Sequence, residues 1–262
     1  MERIFIIKIG GNVLDNGELL NKFLRDFTAI REPKILIHGG GKIASRIGEQ
    51  LGITSQYVNG RRITDEKTRD LVTMVYGGLV NKQIVSALQA LGCNALGLTG
   101  ADGNVIQAEK RPAREIDYGF VGDVRAENVN TAWLLTILKE QVVPVFAPLT
   151  HARGSMLNTN ADTIASVLAV ALGKYYDVRL IFCFEKKGVL RDVNDLNSVI
   201  QHLPNSLYEE LLIKKALADG ILPKLENAYA AIQAGVKEVL IGEAGDLLKN
   251  TGEETEGTLI TA

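Results

Sequence analysis

The chain reads as an α/β protein: a mostly parallel central sheet covered by helices on both faces, a three-layer αβα sandwich in two lobes. Three observations predict it. Short apolar runs without polar alternation recur along the 262 residues, as in residues 4–9 and 34–38, and strands buried on both faces read that way. Helix-period apolar patterns separate those runs, which is the arrangement of βα units. Glycine turns, Gly10-Gly11 and Gly39-Gly40-Gly41, follow the first two runs, and ligands of open α/β sheets collect at that edge.

Lys8 is the one charged residue in the first run and stands just before Gly10 and Gly11. Glycines let backbone N–H groups approach an anion, a helix end points donors at it, and the lysine adds a full charge. An ordinary βα turn with a snorkelling lysine has the same pattern, so both readings stand at this point. The next helix presents Leu19, Leu20, Phe23, Leu24, Phe27 and Ile30 on one face. A second unit repeats the first: strand 34–38, the glycine loop, then a helix turning Ala44, Ile47 and Leu51 inward and stopping at Gly52.

Asn59-Gly60 between short β-like runs predicts a hairpin. Arg61 and Arg62 directly after it form either a bidentate carboxylate clamp or a solvated strand edge. Residues 65–91 carry a long helical pattern, with Gly77-Gly78 a weak point or close contact inside it. Such a helix is a core element or a dimer element. A strand at 93–98, a glycine-broken hairpin at 117–124, a helix at 130–140 and a strand at 142–147 follow. Asn160 is placed to cap the helix over 164–172, with Asp162 in its first turn. Capping leaves Asn158 unexplained, and a polar residue between strand and helix suits a ligand contact.

Past Gly173 the pattern restarts, which divides the chain into lobes 1–173 and 174–262. Strand 178–184 leads into Glu185-Lys186-Lys187-Gly188. Helices near 207–217 and 223–234, a strand at 239–241 and an edge strand at 258–260 complete the chain. Pro223 pre-sets a helix start and leaves Lys224 in the first turn. There the helix dipole disfavours a cation by roughly 0.3–1 kcal/mol, a penalty that a bound anion reverses.

A formal charge of −2 argues against nucleic-acid binding by bulk electrostatics. Cys93 and Cys183 lie in apolar runs without CxxC spacing. They read as reduced thiols of a cytoplasmic protein. The three histidines are far apart, so no metal-ligand cluster is expected. No apolar run reaches the length of a membrane span.

Together, Lys8-Ile9-Gly10-Gly11, His38-Gly39-Gly40-Gly41, Asn59-Gly60-Arg61-Arg62-Ile63-Thr64, Asn158-Thr159-Asn160-Ala161-Asp162 and Gly220-Ile221-Leu222-Pro223-Lys224 resemble the acetylglutamate kinase family, of the amino-acid kinase fold. Order and spacing agree along essentially the whole chain, including Gly119-Phe120-Val121-Gly122-Asp123-Val124 and Gly257-Thr258. The resemblance implies ATP-dependent phosphorylation of the γ-carboxylate of an N-acyl-L-glutamate, N-acetyl first, in arginine biosynthesis. By the same resemblance Lys8 and Lys224 contact the transferring phosphoryl group, and Asp162 holds the two lysines. Gly10 and Gly11 serve the phosphate. Gly40, Gly41, Arg62 and Asn158 bind the amino-acid substrate, and Mg2+ arrives with the nucleotide.

Three departures from the family pattern matter. Phe184-Glu185-Lys186-Lys187 replaces a Thr/Ser-Asp pair, so Glu185 substitutes for the aspartate and, with Lys187, serves the nucleotide. Arg61 replaces a leucine, and its charge favours an acyl group with its own carboxylate, such as succinyl. The strand begins at Ile4, without the extra helix of arginine-inhibited hexamers; a homodimer insensitive to arginine is expected. Gly39-Gly40-Gly41-Lys42-Ile43-Ala44 also fits a dinucleotide fingerprint, yet Asn59-Gly60-Arg61-Arg62 stands where its acidic residue belongs. A P-loop kinase fails because Ile43 follows Lys42. A non-catalytic amino-acid sensor of the same fold would lack one of the two lysines. Carbamate, aspartate and uridylate kinases of this fold are the nearer rivals.

Overall fold

The computed structural model describes residues 1–192, 195, 198–213 and 221–261. Two compact units result: Met1–Ile35 with Ala165–Ala262, and Leu36–Ile164. Both are α/β, with parallel strands flanked by helices, as expected.

In the first unit the strands run Thr258–Thr261, Glu238–Glu243, Asp177–Phe184, Arg3–Ile9 across the sheet. All pairings are parallel except that of the Thr258–Thr261 edge strand. Ile4, Phe5, Ile6, Ile7 and Ile9 are all buried, which is why the run lacks alternation. The amino ends of these strands are tied by charge: Arg3 bridges Asp177 at 2.9 Å and Glu238 at 2.5 Å, and Arg179 Nε meets Glu238 at 2.6 Å. Burial pushes the Glu238 carboxyl up, but Arg179 and Arg3 outweigh it and hold the group low. The carboxyl ends are thereby left to the glycine turns.

The expected first helix is divided. Gly11–Asp15 makes one turn, and Gly17–Ala29 follows with Asn16 as its cap, accepting from the Leu19 N–H at 3.1 Å. Most of the apolar face belongs to that second helix, which buries Phe23, Leu24 and Phe27, while the one-turn helix after the strand buries Val13 alone. Helices Asn205–Ile213, Leu222–Gln233 and Leu247–Thr251 also belong to the unit; residues 214–217 of the expected helix and Gly220 lie outside the described residues.

In the second unit Lys34–His38, Val143–Phe146 and Ala95–Leu98 pair in parallel, in that order. Asn59 and Gly60, both at positive φ, turn the predicted hairpin of Tyr57–Val58 and Arg61–Arg62. The helix Gly41–Gln50 turns Ala44 and Gly48 inward; Leu51, expected inside, is 57% exposed. Segment 117–124 is no hairpin of its own: Gly122–Asp123 pairs with Glu109–Lys110. A hairpin the sequence reading missed, Leu149–Ala152 with Ser155–Asn158, delivers Asn158.

The long helix runs Glu66–Val72, then Thr73–Val80 in π geometry, then Asn81–Ala90. Gly77 sits in the π stretch, where a Cβ would lie 3.3 Å from Leu149 Cδ1. By length and composition Glu66–Ala90 is apolar enough to cross a membrane, contrary to the expectation above. Leu71, Val72, Val75, Tyr76, Val80, Ile84 and Leu88 are buried in the unit, with polar Asn81 among them. That pattern is a core helix.

Candidate active site

The site residues fall into two groups, one in each unit. In the first, Lys8 is half-buried at the penultimate position of its strand, in register with Phe182. Parallel partners project to one face, and so does the residue two further on, so Lys8, Phe182 and Phe184 share a face. Lys224 Nζ lies 4.8 Å from the centre of the Phe184 ring. Both ammonium groups therefore stand at the carboxyl end of adjacent strands. A Cβ on Gly10 would come 3.6 Å from Lys8 Nζ, so glycine there leaves the lysine head against bare backbone. Burial pushes the neighbouring Cys183 thiol up to about 12, with the Lys8 charge pulling the other way.

Gly11 opens the one-turn helix, and Asn12 Nδ2 donates to the Glu185 carboxylate. Glu185 is thus tied to the first glycine turn, while exposed Lys187 acts on Glu256, whose carboxyl is lowered first by Lys249. Lys224 is the third residue of Leu222–Gln233, one further in than the sequence reading placed it, and still in the first turn.

In the second unit Gly40 caps the helix Gly41–Gln50 with φ +153°. A Cβ there would meet Tyr76 Cδ1 at 2.8 Å, so only glycine fits. Arg62 is buried, 6% exposed; its Nη2 donates to the Gly41 carbonyl at 2.8 Å and to Ser45 Oγ at 3.0 Å. Its Nη1 donates to Ser55 Oγ, and the guanidinium lies 4.8 Å from the centre of the Tyr57 ring. A buried guanidinium held in this way is pre-organised for a carboxylate. Asn158 Nδ2 donates to Thr64 Oγ1 at 3.1 Å, which places it two residues along the chain from Arg62. Asp162 is half-buried in the first turn of Ala161–Leu172, behind the Asn160 cap, which accepts from the Thr163 N–H at 3.0 Å. Arg61 turns to the opposite face from Arg62 and lines a cavity of about 710 Å³ with Arg111, Arg114 and Tyr118.

The Amino acid kinase family model matches residues 3–243, most of the chain. The chain belongs to that family. Two relatives place it among the acetylglutamate kinases of the amino acid kinase family. The acetylglutamate kinase of Parabacteroides distasonis is 53% identical over 96% of this chain and 98% of its own. That of Cytophaga hutchinsonii is 52% identical over 100% of both. The crystal structure of smu.665 from Streptococcus mutans UA159 is 29% identical, with TM-score 0.77, covering 99% of this chain and 98% of that one.

Beyond the motifs of this amino acid kinase, sequence reasoning missed the residues that hold the site: Ser45, Ser55, Tyr76 and Asn81. Asn81 carried a usable signal, a polar residue at a buried position between Val80 and Ile84. Ser45 and Ser55 carried none, because short hydroxyl residues are common on solvated helices and loops. Among the described residues no group of three or more His, Cys, Asp or Glu side chains could hold a metal ion.

Proposed function

We propose that this chain catalyses ATP-dependent phosphorylation of the γ-carboxylate of N-acetyl-L-glutamate to N-acetyl-L-glutamyl 5-phosphate, a step of arginine biosynthesis. The observation that carries the reading is the identity of 52–53% to acetylglutamate kinases along nearly the whole chain. The chemistry of the two groups agrees with it. A carboxylate is already an ionised nucleophile at neutral pH, so no general base is needed. The difficulty is bringing two anions together, which positioned cations and backbone amides answer.

In this reading Lys8 and Lys224 neutralise charge that builds on the phosphoryl group in flight, and Asp162 holds them. Gly10 and Gly11 turn N–H groups toward the phosphate. Gly40 and Gly41 serve the acceptor carboxylate. Arg62 and Asn158 grip the α-carboxylate end, and Glu185 and Lys187 serve the nucleotide. By role, residues 1–173 are taken as the amino-acid lobe and 174–262 as the nucleotide lobe, a division that differs from the compact units, in which Met1–Ile35 belongs with Ala165–Ala262. Mg2+ travels on the nucleotide phosphates, as is usual for that ion, and shields their charge.

Exposed Met74 and Leu79 on the long helix support a homodimer. Light scattering would then give twice the 28.5 kDa chain mass. Cys93 and Cys183, both buried and in no disulfide, suit the reducing cytoplasm.

A second reading, N-succinyl-L-glutamate as substrate, has one observation in its favour: Arg61, Arg111 and Arg114 line one cavity. Against it, Arg61 faces away from Arg62, and Arg111 is engaged by Asp123 at 2.5 Å. A coupled assay of ATP turnover against N-acetyl- and N-succinyl-L-glutamate, free glutamate and carbamate tests both. N-acetyl-L-glutamate is expected to have the highest kcat/KM. Turnover with carbamate or free glutamate alone would reject the proposal.

A further inference from the structure

We infer that His38, fixed by Asn81, is a positioning residue that aims the Gly39–Gly40 peptide of the glycine loop. The inference rests on the kinase reading and concerns a residue to which that reading gives no role. His38 ends the strand Lys34–His38 with no exposed surface, and Asn81, 1% exposed, faces it from the long helix.

The protonation pattern follows from Lys82. An ammonium donates and never accepts. Lys82 Nζ lies 3.1 Å from Asn81 Oδ1 and 3.1 Å from the Gly97 carbonyl, which orients the Asn81 amide with its oxygen toward the lysine. The Asn81 Nδ2 then donates to the Val145 carbonyl at 2.9 Å and to His38 Nε2 at 3.2 Å. Nε2 is accordingly the acceptor, and the ring proton is on Nδ1. Nδ1–H donates to the Gly39 carbonyl at 2.6 Å. Burial, opposed by the Gly39 bond and aided by the Lys82 charge, holds the imidazole down to about 4, in keeping with a neutral ring.

In a trans peptide the carbonyl and the next N–H point opposite ways. Holding the Gly39 carbonyl against the buried ring therefore fixes the Gly40 N–H in the direction away from it. Tyr76 closes the other side, 2.8 Å from where a Gly40 Cβ would stand. Gly97 makes room for the device, since a Cβ there would lie 2.0 Å from Asn81 Oδ1. One amide side chain thus spans the neighbourhoods of all three parallel strands of the unit, at Gly97, Val145 and His38.

The test compares His38→Asn, His38→Gln and His38→Leu by steady-state kinetics with N-acetyl-L-glutamate and ATP, below each variant's Tm. Asparagine places an N–H near the Nδ1 position and keeps the donor to Gly39. Glutamine reaches toward the Nε2 position and loses it. His38→Asn is expected to stay within about threefold of wild-type kcat, while His38→Gln and His38→Leu fall by roughly 10- to 100-fold, as for a misaimed group. KM should move less than kcat in each. Equal kcat for the Asn and Gln variants overturns the inference, as does a folded Leu variant within threefold of wild type. Should His38→Leu not fold, the Asn and Gln pair decides. Absent wild-type turnover would instead overturn the kinase reading, and this inference with it.

Discussion

Removing the Arg62 guanidinium should show first in the affinity for the amino-acid substrate. The group is 6% exposed and anchored by the Gly41 carbonyl and Ser45 Oγ at 2.8 and 3.0 Å, so little ordering remains to be done on binding. A hydrogen bond to a charged group contributes about 1.5–3 kcal/mol. At about 1.4 kcal/mol per decade this gives Arg62→Ala a KM for N-acetyl-L-glutamate roughly 10- to 150-fold higher. The KM for ATP should move little. Arg62→Lys keeps the charge but not the planar fork, and should fall between. Because the same side chain props Gly41 and Ser45, a thermal melt is needed to show that each variant is folded at the assay temperature. An unchanged amino-acid KM in folded Arg62→Ala, or a loss confined to kcat, would reject the clamp.

Lys8→Ala should lower kcat far more than it raises either KM, since the charge matters most in the transition state; near-normal turnover removes the lysine from the mechanism. Gly40→Ala forces a Cβ to 2.8 Å from Tyr76 Cδ1 at φ +153°. The strain should cost about 1–3 kcal/mol in chemical denaturation, and an unshifted midpoint would show that the loop adapts. Folding stability should fall in mild acid because His38 drops from its usual 6.5 to about 4 through burial. The unfolded chain then binds the proton first, so this contribution is whole above pH 6.5 and declines as pH falls toward 4. By pH 5 wild type should lose about 2 kcal/mol more than His38→Asn; parallel stability curves for the two would contradict it.

Much of this molecule was legible in its residues because the strands are buried on both faces. Arg3–Ile9, Lys34–His38 and Asp177–Phe184 announce themselves as mainly apolar runs, interrupted inside only by Lys8 and Arg179, and glycine turns follow the first two. Boundaries set by single polar residues were harder. Asn16 divides the first helical pattern because its side chain caps the Leu19 N–H, and an asparagine inside an amphipathic run gives little warning of that. The hairpin of Leu149–Ala152 and Ser155–Asn158 was missed because His151, Arg153 and Ser155 break any alternation. Leu51 misled through its apolar character: Gly48 takes the inward position, where a Cβ would meet Leu71 Cδ2 at 2.8 Å. Arg61 and Arg62 are indistinguishable as sequence, yet strand alternation sends one to a cavity wall and buries the other.

The pH dependence of catalysis separates an electrostatic mechanism from one that moves protons. An ordinary glutamate carboxyl ionises near pH 4, so the acceptor is a nucleophile throughout the neutral range. A base near the site would be superfluous, and the imidazole closest to the glycine loop is unfit for that task. His38 is sealed from solvent and held down to about 4, with both ring nitrogens committed to Gly39 and Asn81. His151 is engaged with Asn104 at 2.8 Å and His202 with Thr261 at 3.0 Å. Backbone amides do not titrate, and arginine keeps its charge at any working pH. The kcat profile should therefore be flat from about pH 6.5 to 8.5, with no limb near the ordinary histidine value of about 6.5. A bell-shaped kcat profile with a limb near 7 that disappears in a histidine variant would mean that a proton is transferred in the rate-limiting step, and the charge-neutralising role given to the lysines would then be insufficient.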